Sequence, residues 1–327
     1  MIYPEFLKKN STIGISAPSA GVGKKLDDFD ASLSYLRAHS WKIRETESVR
    51  LNDVRGGDAP ARGRELTSLF ADPEVDFVLS AAGGDFLFEC LPYVNWKVLK
   101  DHPKWLMGAS DPTSLLYTLT TRYDIATLYG MNAGSFDAEP GTKYMEDALK
   151  IMQGRLIRQR SGKMYASKAT FMDDYAGFDT PTVWLSNKKS IKESGRCIGG
   201  CIDVLKDLIG TKYDGTKAFL KRYRDDGIIW YFDNFAMSAE NFYRTLLQMK
   251  YTGWFESTKA VIIGRVLFQS SETGMTYEDA VNMVFADIPY VFNADVGHTV
   301  PSFTMINGAV INLEYRNAKG SIAFELK

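Results

Sequence analysis

Trp105-Leu106-Met107-Gly108-Ala109-Ser110-Asp111-Pro112 is a short apolar run that closes on a turn of small residues and then on a proline. The apolar part reads as a strand. Asp111-Pro112 opens a helix through Arg122, because proline is tolerated in a first helical turn, where its missing N–H is not needed. The same pattern occurs upstream, where Val75-Asp76-Phe77-Val78-Leu79-Ser80 runs as a buried strand into Ala81-Ala82-Gly83-Gly84-Asp85. Earlier still, Ser11 to Pro18 is an apolar run ending in a turn. Leu26, Phe29, Leu33 and Leu36 then recur at helical spacing up to His39. Trp41 to Ser48 reads as a strand and Ala61 to Phe70 as a helix. Strands alternating with helices predict an α/β fold with a parallel sheet covered by helices.

The chain has 327 residues, enough for roughly two domains. Its 45% hydrophobic and 24% charged residues are those of an ordinary globular protein, and a net charge of −1 provides no global field for nucleic acid or an anionic membrane. The basic stretch Arg155 to Lys168 is interrupted by Leu156, Ile157 and Met164 and reads as a solvated strand or linker. No run approaches the roughly 18 apolar residues of a bilayer span. The start, Met1 to Lys9, lacks the apolar core of a signal peptide, so the cytoplasm is the expected location. Three cysteines argue against a secreted disulfide framework. Cys197 and Cys201 have no nearby partners for a zinc site, which needs about four ligands. Neither a metal nor a cofactor is expected.

Residues from about 137 to 195 read as less regular, with Gly/Asp/Pro clusters at 137–141 and 173–181 that connect two halves or form loops over a cleft. From Gly195 the pattern becomes a helix (Ile202 to Ile209), a strand (Ile228 to Asp233), a helix (Ala239 to Lys250), a strand at 260–266, a helix (Tyr277 to Ala286) and then strands to the end. The expected division is residues 1–136, a connecting segment 137–194, and residues 195–327.

The turn Ala20-Gly21-Val22-Gly23-Lys24-Lys25 fails as a phosphate loop, because the first glycine would fall at Pro18 and Lys25 stands where Ser or Thr is required. Ser110 is placed better for chemistry. At the end of a parallel strand its hydroxyl would lie on the edge where open α/β sheets bind ligands. A second reading is local, with Ser110 or Asp111 capping the helix that follows. Gly83-Gly84-Asp85 should lie beside Ser110, its glycines letting amide N–H groups face a substrate; it also suits a plain tight turn. Asp233, after five apolar residues, could orient a histidine or cap a helix. Only three histidines are present. His39 lies near a helix end and His102 in a charged loop, which leaves His298, in Asp295-Val296-Gly297-His298-Thr299-Val300-Pro301, as the candidate imidazole for acid–base chemistry. The order Ser110, Asp233, His298 is nucleophile, acid, base, the combination a weakly nucleophilic hydroxyl requires.

These residues and their surroundings resemble the serine peptidase family of LD-carboxypeptidases and microcin C immunity proteins along nearly the whole chain. The resemblance is carried by Ile13-Gly14-Ile15-Ser16-Ala17-Pro18-Ser19, Ala82-Gly83-Gly84 and Gly108-Ala109-Ser110-Asp111. It continues in Gly195 to Cys201 with Leu208-Ile209-Gly210-Thr211, and in Gly297-His298-Thr299. It implies a doubly wound N-terminal domain, a smaller C-terminal α/β domain supplying Asp233 and His298, and a homodimer without metal or cofactor. It also implies a Ser110–His298–Asp233 triad with backbone N–H groups of Gly84 and Asp111 as the oxyanion hole. Two departures stand out: Asp233 takes the place of the family's Glu, and Cys201 that of its Asn. The implied substrates are a muropeptide ending in D-alanine or an amino-acyl-nucleotide of microcin C type, contacted by Gly83, Asp85 and Trp184. Chain length and Trp184, as a base-stacking residue, lean toward the nucleotide, although Trp184 between Val183 and Leu185 also fits a core position. The competing reading is a peptide- or nucleotide-binding protein of the same fold that does not cleave.

Overall fold

The computed structural model describes residues 1–53, 55–136 and 142–327, so the turn-forming cluster at 137–141 lies outside the described residues. The chain divides into two compact units, Met1–Arg155 and Leu156–Lys327.

In the first unit β1 (Thr12–Ser16), α1 (Leu26–Ala38), β2 (Lys42–Glu45), α2 (Ala59–Ala71), β3 (Phe77–Ser80), α3 (Trp96–Asp101), β4 (Trp105–Gly108), α4 (Thr113–Tyr123), β5 (Thr127–Tyr129) and α5 (Lys143–Met152) follow one another. The strands lie in the order β2-β1-β3-β4-β5, and every neighbouring pair is parallel. This is a doubly wound sheet whose strand order reverses between β1 and β3. Every residue of β3 and of β4 is buried, which explains their unbroken apolar sequence: helices cover both faces of a parallel sheet. The loops leaving β1, β3 and β4 carry Ser19, Gly83-Gly84 and Ser110 to one edge of the sheet. Asp58 starts α2 by accepting the Ala61 N–H at 2.6 Å. Helix α5 corrects the expectation of irregular chain after 137. Met145, Ala148, Leu149, Ile151 and Met152 are all buried along it, a helical spacing that was present in the sequence.

The second unit begins with the short strands β6 (Gln159–Arg160), β7 (Met164–Tyr165), β8 (Thr180–Pro181) and β9 (Leu185–Ser186). It continues with β10 (Ser190–Cys201), α6 (Ile202–Leu208), α7 (Thr216–Arg222), β11 (Ile228–Asp233), α8 (Ala239–Tyr251), β12 (Thr258–Gly264), α9 (Tyr277–Phe285), β13 (Tyr290–Ala294), β14 (Met305–Asn307), β15 (Val310–Arg316) and β16 (Lys319–Glu325). Its eight-stranded sheet has the order β6-β16-β15-β10-β11-β12-β13-β9. The centre, β10 to β13, is parallel, and the flanking pairs are antiparallel. Strand β10 is longer than the sequence suggested. Its first residues, Ser190-Ile191-Lys192-Glu193-Ser194, pair with the hairpin strand β15 and are mostly not buried, so their polarity concealed a strand. Its second half runs buried beside β11. Cys201 and Asp233 are register partners at the carboxyl ends of β10 and β11, as Gly264 and Ala294 are at the ends of β12 and β13. Among the described residues no helix is long and apolar enough to cross a membrane.

Candidate active site

Ser110 has φ of 69°, in the left-handed region that non-glycine residues avoid. Strain of this kind costs about 1–3 kcal/mol and persists only where the surroundings impose it. Here they do. Tyr129 at the end of β5 receives the Ser110 N–H on its hydroxyl at 3.1 Å. The Asn132 side chain accepts from the Ala109 N–H at 3.0 Å and donates to the Ala109 carbonyl at 3.4 Å. Gly108 leaves room for the turn: a methyl group there would lie 2.9 Å from Pro112 Cβ and 3.1 Å from the Asn132 side-chain oxygen. The strand thus enters α4 through a sharp elbow, although the Gly-x-Ser-x-Gly signature of such elbows is missing.

The capping expectation for this segment is corrected. Pro112 is the residue before α4, and no side chain caps the helix. The Asp111 carboxylate instead turns inward to accept the Ser19 hydroxyl and, at 2.9 Å, the Leu87 N–H. It therefore ties the loops after β1 and β3 to the elbow. Burial pushes its carboxyl up to about 6, against the downward pull of those two hydrogen bonds; nearby Asp85 adds to the rise and Arg62 opposes it. Arg62, wholly buried on α2, donates to the carbonyls of Pro18 (2.8 Å), Ser19 (3.2 Å) and Phe86 (3.2 Å), which holds both loops from beneath.

Gly83 lies beside Ser110, and Gly84 lies against Ser19. A methyl group on Gly83 would sit 3.3 Å from Ser110 Oγ, and one on Gly84, whose φ is 149°, would sit 2.6 Å from Ser19 Oγ. Both glycines are required by this close approach. Asp85 is exposed next to them. The N–H groups of Gly84 and Asp111 have no hydrogen-bond partner among the described residues.

In the second unit Asp233 and His298 come together. Nδ1 of His298 lies 2.9 Å from Oδ2 of Asp233, which is fully buried, while 12% of the imidazole side chain is exposed. The two atoms are in ion-pair contact across the buried end of β11. Gly297 makes it possible. Its φ is 112°, and any side chain there would overlap the Asp233 carboxylate. Phe235 packs its ring 4.5 Å from the imidazole, centroid to centroid, and is itself set by Asp203, whose carboxylate accepts the Phe235 N–H at 3.0 Å and the Ala236 N–H at 3.2 Å. Burial works against an imidazolium at His298. The Asp233 charge and hydrogen-bonding, with a contribution from Asp203, outweigh it and raise the pKa above the ordinary histidine value.

Trp184 is fully buried, with its indole N–H donating to Asp295 at 2.7 Å and Gly320 against its ring. It occupies a core position and offers no open face for a base to stack on, which removes one of the two features that leaned toward a nucleotide and leaves chain length. Cys201 is buried beside Asp203. His39 and His102 are the residues that follow α1 and α3. Sequence reading missed Tyr129, Asn132, Ser19, Arg62 and Asp203. Each acts on a loop far from it in the chain, and no local pattern marks them.

The chain matches the family models for the LD-carboxypeptidase N-terminal domain over residues 13–130 and the LD-carboxypeptidase C-terminal domain over residues 194–313. It belongs to the LD-carboxypeptidase family. A Vibrio cholerae protein carrying the name carboxypeptidase by inference is 25% identical, covering 97% of this chain and 96% of its own. The microcin C7 self-immunity protein MccF of Escherichia coli is 24% identical over 97% of this chain and 94% of its own. A solved structure of MccF in complex with aspartyl sulfamoyl adenosine superposes with a TM-score of 0.83 at 20% identity, covering 100% of both chains. Asp233 meets the imidazole directly, and the side-chain-free Gly297 permits that close approach.

Proposed function

We propose that the protein is a serine peptidase that cleaves an amide bond by acyl transfer, with Ser110 as nucleophile, His298 as general base and then acid, and Asp233 as the orienting acid. The observation that carries this reading is the buried Asp233 carboxylate 2.9 Å from His298 Nδ1, which leaves Nε2 as the working nitrogen. The strained elbow at Ser110 supports it, since such turns expose a hydroxyl for attack. His298 takes the Ser110 proton as Oγ attacks the carbonyl carbon. The N–H groups of Gly84 and Asp111 receive the oxyanion, and His298 then protonates the leaving amine. Water repeats the sequence to release the acid.

For substrate we favour the L,D bond of a muropeptide ending in D-alanine, with Gly83 and Asp85 at its rim. The amino-acyl-nucleotide of the immunity-type relatives remains the second candidate. Trp184 in the core is what favours the muropeptide, because stacking on a nucleobase would require it to leave its site. We also propose that the active species is a homodimer. Mass-spectrometric detection of D-alanine released from a muropeptide tetrapeptide, with Ser110→Ala as blank, tests the substrate. Release by the wild type alone is expected. Cleavage of an amino-acyl sulfamoyl adenosine but not of the tetrapeptide would move the assignment to the second candidate. Cleavage of neither, without covalent labelling of Ser110, would leave a binding protein.

A further inference from the structure

Arg265 follows β12 directly and is 3% exposed, and its ion-pair partner Asp295, the first residue after β13, is fully buried. One guanidinium nitrogen of Arg265 lies 2.6 Å from Asp295 Oδ1. A second donates to the Thr299 hydroxyl and to the Pro301 carbonyl, both at 3.3 Å. A single side chain thus holds the loop 295–301 at its beginning and at its end, and His298 lies between the two attachments. The rigid planar fork of arginine can make these divergent contacts, whereas the point charge of lysine cannot.

The other contacts of Asp295 and Arg265 reinforce the arrangement. Asp295 also accepts the Trp184 indole N–H at 2.7 Å and the Gly162 N–H at 3.3 Å. Its backbone carbonyl takes the Phe303 N–H at 2.8 Å. The Arg265 guanidinium lies over the Tyr165 ring, 4.3 Å from the centroid. Gly264 packs so closely against the Val296 carbonyl that any side chain there would overlap it, which fixes the loop against the end of β12. Ala166 donates its N–H to the Val300 carbonyl at 2.8 Å. A buried charge pair is weak evidence for stability, since desolvation offsets most of the attraction. Its worth here is geometric.

We propose that Arg265 is a positioning residue for His298, acting through Asp295, Thr299 and Pro301 to hold the imidazole at the distance from Asp233 that the reaction needs. Arg265 touches neither substrate nor reacting atoms in this account, which rests on His298 being the base. A loop that slackens by about 1 Å should lower the rate roughly 100-fold while leaving ground-state binding largely intact.

The test uses the full chain carrying Arg265→Lys, with Thr299→Val as a milder variant that removes one attachment and keeps the buried charge pair. Two quantities are measured on folded protein, verified by thermal melting. The first is the split between kcat and KM. The second is the titration midpoint of the His298 imidazole by NMR, which is tractable because the chain has only three histidines. The charged groups acting on His298 are Asp233 and Asp203, so its midpoint reports the Asp233 contact. The expected result for Arg265→Lys is a kcat reduced roughly 100-fold with KM little changed, and a His298 midpoint displaced downward. Thr299→Val should shift both in the same direction by less. A wild-type kcat and midpoint in a folded Arg265→Lys protein would overturn the proposal. If the wild type hydrolyses nothing, the serine-peptidase reading fails, but the midpoint still decides the clamp: displacement upholds it and constancy refutes it.

Discussion

Ser110 and His298 are held in place by opposite means. The serine sits in a strained left-handed turn, fixed by neutral hydrogen bonds that the Ser110 and Ala109 N–H groups donate to Tyr129 and Asn132 and by the absence of side chains at Gly83 and Gly108. The histidine sits on a loop fixed by charge, with Asp233 against its ring and the buried Arg265–Asp295 pair beneath. A nucleophile needs only a fixed position and an exposed oxygen, which backbone geometry supplies. A general base also needs a controlled proton affinity, which neutral groups supply poorly and a buried carboxylate supplies well. The two halves should therefore fail differently, one through shape and the other through charge.

The largest effect should come from removing charge without changing shape. Asp233→Asn is expected to reduce kcat by about 10⁴-fold, as the amide favours the wrong imidazole tautomer. It should also drop the His298 pKa below the ordinary histidine value, since the burial that opposes the imidazolium remains and the charge that overrode it is gone. The acid limb of the kcat/KM profile should move to lower pH accordingly. A limb that stays in place would show that Asp233 does not set the proton affinity of His298.

Restoring the family's longer acid tests shape within the charged half. Asp233→Glu keeps the charge, but Gly297 lies so close to the carboxylate that a longer side chain should push the histidine loop away. A fall in kcat of roughly 10- to 100-fold is expected from the displaced histidine loop. A rate equal to or above that of the wild type would mean that the close approach of Gly297 has no role in accommodating the aspartate.

The last prediction probes the serine half and concerns stability, with no loss of activity required. Asp111 has its carboxyl raised to about 6 from 3.8, so the folded state holds its proton more tightly than the unfolded chain. Between those values the unfolded state binds fewer protons, and stability therefore falls as pH rises from about 4 to 6. The full span amounts to at most about 3 kcal/mol. Both of its hydrogen bonds reach the same oxygen, so the amide oxygen of Asp111→Asn can accept them and the pH-dependent loss should disappear. Denaturant unfolding of the two proteins at pH 4 and pH 7 checks this. An unchanged difference between the two pH values would place the titration elsewhere.

The sequence displayed the serine half more fully than the histidine half, for a physical reason. A strand, a turn of small residues and a helix are contiguous, so Gly108 to Pro112 carries the elbow in a few letters, and the alternation around it carries the doubly wound sheet. The supports of His298 are scattered. Trp184, Arg265 and Asp295 come from three separate segments and meet only because the sheet brings the ends of β12 and β13 together. Each alone has an ordinary reading, and Trp184 was read partly as a ligand contact for that reason. Asp111 shows the same limit over a shorter range. Its position before proline suggested a cap, but tertiary partners at Ser19 and Leu87 outcompeted the helix end. The apolar spacing of helix α5 is visible in the sequence, but the Gly/Asp/Pro cluster at 137–141 just before it dominates the reading of that stretch.

The most direct test of the proposed mechanism, in which His298 activates Ser110, is covalent labelling by a fluorophosphonate followed by peptide mapping. The wild type should carry the adduct on Ser110 and nowhere else, and His298→Ala should react at least about 10³-fold more slowly while remaining folded. An unlabelled Ser110 in the folded wild type, or equal labelling of wild type and His298→Ala, would contradict the account.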